Sequence, residues 1–279
     1  MPATKPYCGV RASLATMHDK LPLIGPAMSA RLGLDVYATG TNTDAFGTFS
    51  GEIERTLPPL ETAFAKARQG MIESGAIVGL ASEGSIGVSG LLLVVSAVEI
   101  VAIVDDAAGF VLGESASSQA VVTHSWVIEE GHPREEDLVR AGFPEHGLIV
   151  RSVDGNGPLT KGIHDPRELK RAVEECRESG FAAVRIESDL RAHHCPSRQP
   201  VIRAAAERLA ERLARLCPSC DCPGWGPVGL VRGLKCATCG VPTEGVLTHI
   251  GGCPRCSHRV TGHIREERAN PSTCWNCNP

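Results

Sequence analysis

Residues 217–239 read CPSCDCPGWGPVGLVRGLKCATC, and residues 253–277 read CPRCSHRVTGHIREERANPSTCWNC. Together they contain four Cys-x-x-Cys pairs, separated by 15, 13 and 17 residues. Two of these intervals match the spacing of zinc-binding knuckles. Because each pair presents two thiolates from one backbone corner, two pairs complete a closed tetrahedral site. The sequence therefore predicts two structural zinc ions, held by Cys217, Cys220, Cys236, Cys239, Cys253, Cys256, Cys274 and Cys277.

Spacing alone leaves the pairing of these knuckles open. We expect the first knuckle to pair with the second and the third with the fourth, which gives a tandem of two zinc ribbons. A cross-braced arrangement, first with third and second with fourth, is the alternative. Disulfides and iron–sulfur clusters agree less well with a chain that shows no export signal and with these spacings. Four further side chains are candidate replacement ligands that we expect to be bystanders: Cys222, His249, His258 and His263.

Composition excludes several classes of protein. The chain has 279 residues, 42% hydrophobic and 22% charged, which is enough for one large or two small globular domains. No apolar stretch reaches the roughly 18 uncharged residues of a membrane helix, so we expect no membrane association. The first residues show no secretory leader, and we therefore expect a cytoplasmic protein.

Charge divides the chain into two parts. Residues 217–279 carry six Lys or Arg against four Asp or Glu, a net +2, which leaves 22 against 28, a net −6, for residues 1–216. Neither part has the basic excess of a typical nucleic-acid-binding domain. We therefore place a domain boundary between residues 216 and 217, and expect contact with nucleic acid at most through the cysteine-rich tail.

Residues 1–216 alternate β-branched runs with helical patterns, which predicts an α/β fold. Strands are predicted at 9–16, 34–38, 76–81, 91–98, 100–104, 110–112 and 181–186. Helices are predicted at 26–33, from Pro59 onward, at 165–180 and at 202–216. The polar stretch Ser82-Glu83-Gly84-Ser85 is predicted to be a turn, and residues 189–198 a polar loop.

Three polar clusters lie at the ends of predicted elements. They are His18-Asp19-Lys20, Asn42-Thr43-Asp44 with Gly47-Thr48, and Ser82-Glu83-Gly84-Ser85. Glycine-bearing turns with hydroxyls and a lysine can cradle phosphates, and carboxylates such as Asp44, Glu61 and Glu83 can hold Mg²⁺ against them. A cluster of this kind on its own is more often a solvated loop that contains a helix cap or two.

The loop at 189–198 gathers further cationic or protonatable groups: Arg191, His193, His194 and Arg198. Guanidinium groups suit a triphosphate or a purine edge, so this loop is a candidate to close over a ligand. The alternative is that Asp189 pairs with Arg198 and only fixes the loop. Cys195 is a weaker candidate for a thiol nucleophile, because the sequence identifies neither a base nor an orienting group for it.

Four motifs within residues 9–115 follow one another in a familiar order. They are Thr16-x-His18-x-Lys20, Glu61-Thr62-Ala63-x-x-Lys66-Ala67 on a helix, Glu83-Gly84, and a hairpin through Asp105-Asp106. In this order they resemble the inosine/xanthosine triphosphatase superfamily, which implies an ITPase-like mixed sheet. The resemblance implies that Lys20 contacts phosphate, that Glu61 and Lys66 take the acidic and basic helix positions, and that Glu83 binds magnesium. His18 and Thr62 stand where that superfamily has asparagine.

A second resemblance covers nearly the whole chain. Its motifs are Asp44-x-x-Gly47-Thr48-Phe49, Glu52-Ile53, Ala81-Ser82-Glu83-Gly84-Ser85, Asp189-Leu190-Arg191-Ala192-His193 and Pro196-Ser197-Arg198. With the terminal Cys-x-x-Cys pairs, they are similar to a bacterial family with a domain of unknown function. Asp19, Ile86 and Cys195 depart from that family, where we expect glycine, an aromatic residue and asparagine.

These observations favour a Mg²⁺-dependent phosphohydrolase that acts on a nucleotide or related phosphate, in the manner of a nucleoside triphosphate pyrophosphohydrolase. Glu83, with Glu61 or Asp44, is predicted to hold Mg²⁺. The predicted ligand-binding residues are Lys20, Lys66, Thr48, Ser85, Arg191, His193 and Arg198. The alternative is a non-catalytic ligand-sensing module whose zinc ribbons contact protein or nucleic acid. Convergence of Lys20, Asp44, Glu61 and Glu83 on one pocket favours the enzyme.

Overall fold

The structure, a computed structural model, describes residues 5–48, 53–89, 94–265 and 267–278. The described elements form a five-stranded, a four-stranded and a three-stranded sheet. Phe49 and Glu52 of the predicted motifs, and the start of the apolar run at Leu91, lie outside the described residues. No helix within these ranges combines the length and the apolar character needed to cross a membrane.

The five-stranded sheet is mixed, as the resemblance implies. Its strands are β1 (Arg11–Ala15), β2 (Asp35–Thr39), β3 (Val78–Ser89), β4 (Val94–Asp105) and β5 (Phe110–Ser118). They lie in the order β2-β1-β3-β4-β5. Strand β1 is parallel to β2 and β3, whereas β3, β4 and β5 form an antiparallel meander. The predicted α/β class is therefore confirmed.

Two early helices follow the proline and glycine signals of the sequence. Helix α1 (Leu21–Leu32) begins five residues before the predicted start at Pro26, because Pro22 already occupies the first turn, where its missing N–H is not needed. Gly33 ends α1 with a left-handed φ of 74°. Helix α2 (Pro59–Ser74) begins at the predicted proline.

The turn predicted at residues 82–85 does not form. These residues continue β3 and pair with β4, where Glu83 lies opposite Ile100 and Gly84 opposite Glu99. Their polar side chains have partners inside the protein: Glu83 pairs with Lys66 and Arg55, Ser82 accepts from Lys20, and Ser85 accepts from Arg55. Gly84 is required here, because a Cβ at this position would collide with the side chains of Glu99 and Arg198.

The second sheet has its own core. Its strands are β6 (Ser125–Ile128), β7 (Leu148–Ser152), β8 (Leu159–Ile163) and β9 (Val184–Ser188), in the order β6-β9-β7-β8. Helices α3 (Glu135–Arg140) and α4 (Pro166–Glu178) lie with this sheet, and we call the sheet and these two helices the second lobe. The five-stranded sheet and the helices that pack on it are the first lobe. The start of α4 is as predicted, since the Asp165 carboxylate accepts hydrogen bonds from the backbone N–H of Arg167 and Glu168. Its buried residues include Leu148, Val150, Ile163, Leu169 and Val173.

Helix α5 (Gln199–Leu213) returns the chain to the first sheet. Its apolar face packs against the five-stranded sheet, but Leu216, predicted to be its last core residue, lies beyond the helix and is 48% exposed. The tail then forms β10 (Gly226–Arg232), β11 (Val246–Gly252) and β12 (Arg259–Thr261), an antiparallel sheet. Cys217, Cys222 and Cys253 lie in the same buried cluster as α5, so the start of the tail packs into the body's core.

Candidate functional site

A pocket opens where strand β1 ends. Ala15 is the last residue of β1 and pairs with Ala81 of β3, and β3 continues beyond it with Ser82 and Glu83. Side chains that line the pocket include His18, Lys20, Asp44, Lys66, Ser82 and Glu83. We call it the strand-end pocket. It lies at the carboxyl ends of parallel strands, where open α/β sheets bind ligands. Its enclosed volume of about 30 Å³ has room for one or two ordered water molecules.

The pocket brings together three of the four residues whose convergence was expected. Lys20, Asp44 and Glu83 line it, together with Lys66 from helix α2. Glu61 is exposed on α2 and is not among the described lining residues. Glu61 and Lys66 are five positions apart on α2, which turns the two side chains about 140° apart.

Glu83 is the centre of a buried ion-pair network. Its side chain is 4% exposed, and Oε2 accepts a hydrogen bond from Lys66 Nζ at 2.6 Å. Oε1 contacts the guanidinium of Arg55. Arg55 also donates to Ser85 Oγ at 3.0 Å and to the Gly84 carbonyl at 2.8 Å. Both oxygens of Glu83 are therefore occupied by cations, one of which, Arg55, the sequence did not indicate.

The three acids predicted to hold magnesium do not form a set of ligands. Glu61 lies outside the pocket, both oxygens of Glu83 are paired, and Asp44 contacts His18 at 3.4 Å. Within the described ranges, the groups of three or more His, Cys, Asp or Glu placed to hold a metal are two sets of cysteines. The predicted Mg²⁺ site thus does not fit the residues present.

The ammonium group of Lys20 donates a hydrogen bond to an uncharged partner. Its side chain is buried, and Nζ donates to Ser82 Oγ at 2.8 Å. Among the described residues, no carboxylate forms a salt bridge with it. Burial lowers the pKa of Lys20 to about 8, while the carboxylate of Glu99 acts in the opposite direction. A buried ammonium of this kind is well placed to bind an anion.

His18 lies beside Lys20 and joins the pocket to the second lobe. Its Nε2 is 3.4 Å from Asp44 Oδ1, and its ring stacks on His193 with the centroids 5.3 Å apart. Burial lowers the pKa of His18 to about 4, so the imidazole is neutral at neutral pH. The ring of His193 in turn lies against that of His194, and Nδ1 of His194 is 2.8 Å from Nε2 of His164.

The loop at 189–198 uses most of its cations internally. The fully buried Arg198 donates through Nε to Glu99 Oε1 at 2.6 Å and contacts the Leu190 carbonyl. Arg191 pairs with Asp189, with Nε 2.9 Å from Oδ1. The predicted pairing of Asp189 with Arg198 is therefore wrong, because each finds a different partner.

Three other candidates lie apart from the pocket chemistry. Burial raises the pKa of the Cys195 thiol, which disfavours its use as a nucleophile. Thr48 Oγ1 accepts from the backbone N–H of Ile53 at 3.1 Å, and Ser85 Oγ accepts from Arg55. Thr48 and Ser85 are not among the described lining residues.

The tail holds two four-cysteine clusters. The first cysteine set is Cys217, Cys220, Cys253 and Cys256, and the second cysteine set is Cys236, Cys239, Cys274 and Cys277. The first knuckle thus pairs with the third and the second with the fourth, and the sequential pairing that we expected was wrong. Pairing of Gly226 with Gly252 in the β10–β11 hairpin brings the first and third knuckles together, and a bridge between Cys236 and Ala269 does the same for the other two.

Sulfur separations in both sets fit a tetrahedral ion. Sγ atoms lie 3.5–3.8 Å apart in the first set, for the pairs of Cys256 with Cys220 and Cys217. In the second set, Cys236 and Cys277 lie 3.9 Å apart, and Cys239 and Cys274 3.6 Å. Four thiolates at about 2.3 Å from Zn²⁺ place neighbouring sulfurs about 3.8 Å apart. The cysteines form no disulfides, so both sets are consistent with zinc.

Residues 66–279 match a family described as a domain of unknown function, DUF6671. The chain belongs to the DUF6671 family. No curated protein matches the chain. The DUF6671 region begins at Lys66 and contains Glu83 and both cysteine sets. His18, Lys20 and Asp44 precede it, so the strand-end pocket combines residues from inside and outside the DUF6671 match.

The extra polar residues of the DUF6671 tail lie outside both cysteine sets. Cys222, His249, His258 and His263 are members of neither among the described residues. Cys222 is buried beside the first set, and the His258 ring lies 5.3 Å from that of Trp225. Each cysteine set therefore has four sulfur ligands without Cys222 or His258.

Proposed function

We propose that the chain is a phosphohydrolase acting on a nucleotide or related phosphate, and that the strand-end pocket holds the reacting phosphate. The observation that carries this proposal is the convergence of Lys20, Lys66, Asp44 and Glu83 on one pocket at the carboxyl ends of parallel strands. An ITPase-like relationship is part of the proposal. It is supported by the mixed sheet and by the placement of Lys66 on α2 and Glu83 on β3.

In this proposal the lysines hold the phosphate. Lys20 supplies a buried ammonium whose described polar partner is the neutral Ser82 hydroxyl, so an anion entering the pocket gains a charge-assisted hydrogen bond. Glu83 fixes Lys66, and Arg55 fixes Glu83 from its other oxygen. Because the enclosed volume is only about 30 Å³, most of the ligand lies outside it.

The tail is proposed to be structural. Each set supplies four cysteine ligands, which leaves no open coordination position for a substrate, and zinc then supplies folding free energy. Unpaired thiols persist in reducing compartments, and on this ground we place the protein in the cytoplasm.

A nucleotide screen tests the proposed reaction. With Mg²⁺ added, the intact protein is expected to release pyrophosphate or phosphate from at least one nucleoside triphosphate. Lys20→Met is expected to lower kcat/KM about 100-fold or more, because it removes a preorganised charge at the phosphate. Lys170→Met is the matched control, since Lys170 is exposed on α4. Equal turnover by wild type and Lys20→Met would contradict the proposed phosphohydrolase site.

A second candidate function is supported by the pairing of Glu83. Because both carboxylate oxygens are held by cations, Glu83 has no free oxygen with which to activate water. The same pocket then suits a ligand-sensing module that binds a phosphate without hydrolysis. Tight binding of a triphosphate that stays intact through the screen identifies this function.

The pKa of Lys20 predicts how phosphate binding depends on pH. Lys20 is charged below about pH 8 and loses its proton as the pH rises through that value. Affinity for a non-hydrolysable nucleoside triphosphate is therefore expected to be nearly constant between about pH 7 and 8, where the terminal phosphate stays ionised, and to fall by up to about tenfold per pH unit above pH 8. Calorimetric titration measures this, and Lys20→Met is expected to abolish the dependence. A flat profile to pH 10 for the wild type contradicts it.

A further inference from the structure

His18 has no part in the phosphate-holding roles above, yet it lines the strand-end pocket beside Lys20. The turn that carries it is constrained at two points. The His18 backbone N–H donates to Thr16 Oγ1 at 3.2 Å, and Asp19 adopts a left-handed φ of 49°. Non-glycine residues in that region are uncommon and are concentrated at functional sites. The turn thus holds the imidazole in the pocket at some conformational cost.

The imidazole has one nitrogen engaged and one available. Nε2 faces Asp44 Oδ1 at 3.4 Å, and one face of the ring is covered by His193. Among the described residues, neither ring nitrogen forms a hydrogen bond, and Nδ1 is available to accept a proton. A carboxylate on one nitrogen and a free lone pair on the other is the arrangement by which a histidine serves as a base.

We propose that His18 is the general base of the proposed phosphohydrolase, with Asp44 and His193 as positioning residues. This inference rests on the proposed function. A water molecule attacks phosphorus, and its oxygen forms a new bond to phosphorus while one of its protons passes to Nδ1 of His18. The bond from phosphorus to the leaving oxygen breaks, and that oxygen keeps the electron pair. The imidazolium, stabilised by Asp44, then releases its proton to solvent.

His18 is unprotonated at neutral pH, as a general base must be, although the pKa of about 4 makes it a weak base before a ligand binds. Burial, together with the nearby charges of Lys20 and Arg191, keeps the imidazole neutral, and Asp44 opposes them. A bound phosphate brings negative charge close to the ring and strengthens it as a base. Glu83, the other buried candidate, has both oxygens paired with Arg55 and Lys66.

The second lobe completes the site. His193 belongs to the loop after β9, and its ring lies against His18 of the first lobe. Asp44 approaches from the short helix at Thr43–Phe46. His18 is thus held between two elements that are distant in sequence. Substitutions of Asp44 or His193 are therefore expected to change kcat, although neither residue contacts the phosphate.

The test compares His18→Ala with His132→Ala, an exposed histidine in the loop before α3. His18→Ala is expected to lower kcat by about 10²–10⁴-fold while affinity for a non-hydrolysable triphosphate stays within about threefold. Added imidazole is expected to restore part of the rate in His18→Ala and none in Lys20→Met. Asp44→Asn is expected to lower kcat about tenfold with KM unchanged.

The other outcomes distinguish failure of the base assignment from failure of the proposed function. Wild-type kcat in His18→Ala overturns the base assignment and leaves the proposed hydrolysis intact. Loss of both binding and rescue also overturns it, because His18 is then only structural; His18→Gln, closer in size, checks that folding is not the cause. Absence of turnover in the wild type rejects the proposed function and the base together.

Discussion

Loss of metal from the first cysteine set is expected to unfold the body of the protein together with its tail. Cys217 and Cys253 are buried in the same core as Leu112, Ile202 and Leu209. Structural zinc contributes about 10–16 kcal/mol to the folding of small zinc domains, comparable to the whole stability of a typical protein. The second cysteine set lies apart from this core, and Cys239 and Cys277 are exposed.

Two matched substitutions test this difference. Cys253→Ser is expected to abolish the cooperative thermal transition of the body, whereas Cys274→Ser is expected to leave it nearly unchanged and to disorder only the end of the tail. Circular dichroism measures the transitions, and metal analysis measures zinc per chain. A chelator is expected to remove zinc from the exposed second set first. Equal melting temperatures for the two variants would contradict the proposed difference.

Glu99→Ala is expected to cost about 3–5 kcal/mol of folding free energy. Glu99 and Arg198 are both fully buried, and Arg198 Nε donates to Glu99 Oε1 at 2.6 Å. Removing the carboxylate takes away the buried anion to which Nε of Arg198 donates, and the weaker stabilisation of the buried guanidinium accounts for most of the loss. The pair also joins the strand β4 to the segment that leads into helix α5.

The double variant Glu99→Leu with Arg198→Met separates charge from packing. It is expected to recover much of the lost stability, because two apolar side chains replace both ions at once. Urea denaturation measures the free energies of unfolding. Asp35→Ala, which removes a pair with Arg11 that is about two-thirds exposed, is the control and is expected to cost less than about 1 kcal/mol. A double variant no more stable than Glu99→Ala rules out the charge argument.

Local signals in the sequence predicted local structure well. The Asp165 cap, the start of α2 at Pro59 and the left-handed Gly33 all depend on neighbours within a few residues. The cysteine pairs likewise predicted two metal sites. Which cysteine pairs combine depends on a hairpin and a bridge that join residues more than 25 positions apart, such as Gly226 and Gly252. The spacing of the cysteines does not predict these long-range contacts.

The errors at the strand-end pocket have the same origin. A polar stretch with a glycine at 82–85 favours a turn locally, but pairing with β4 and burial of Glu83 override that preference. Glu99 did give a signal, a single acid inside the apolar run of β4, which usually marks a buried ion pair. Arg55 follows no periodic pattern, and the sequence therefore did not indicate that it pairs with Glu83.

The interleaved cysteine sets also determine when metal ligands become available during synthesis. Cys217, Cys220, Cys236 and Cys239 all precede Cys253, the first cysteine of a partner knuckle. At roughly 5–20 residues per second, synthesis of Cys253 follows that of Cys217 by about 2–7 s. Four thiols therefore wait for their partners at once, whereas a sequential pairing would complete the ligands of one set before the third knuckle is synthesised.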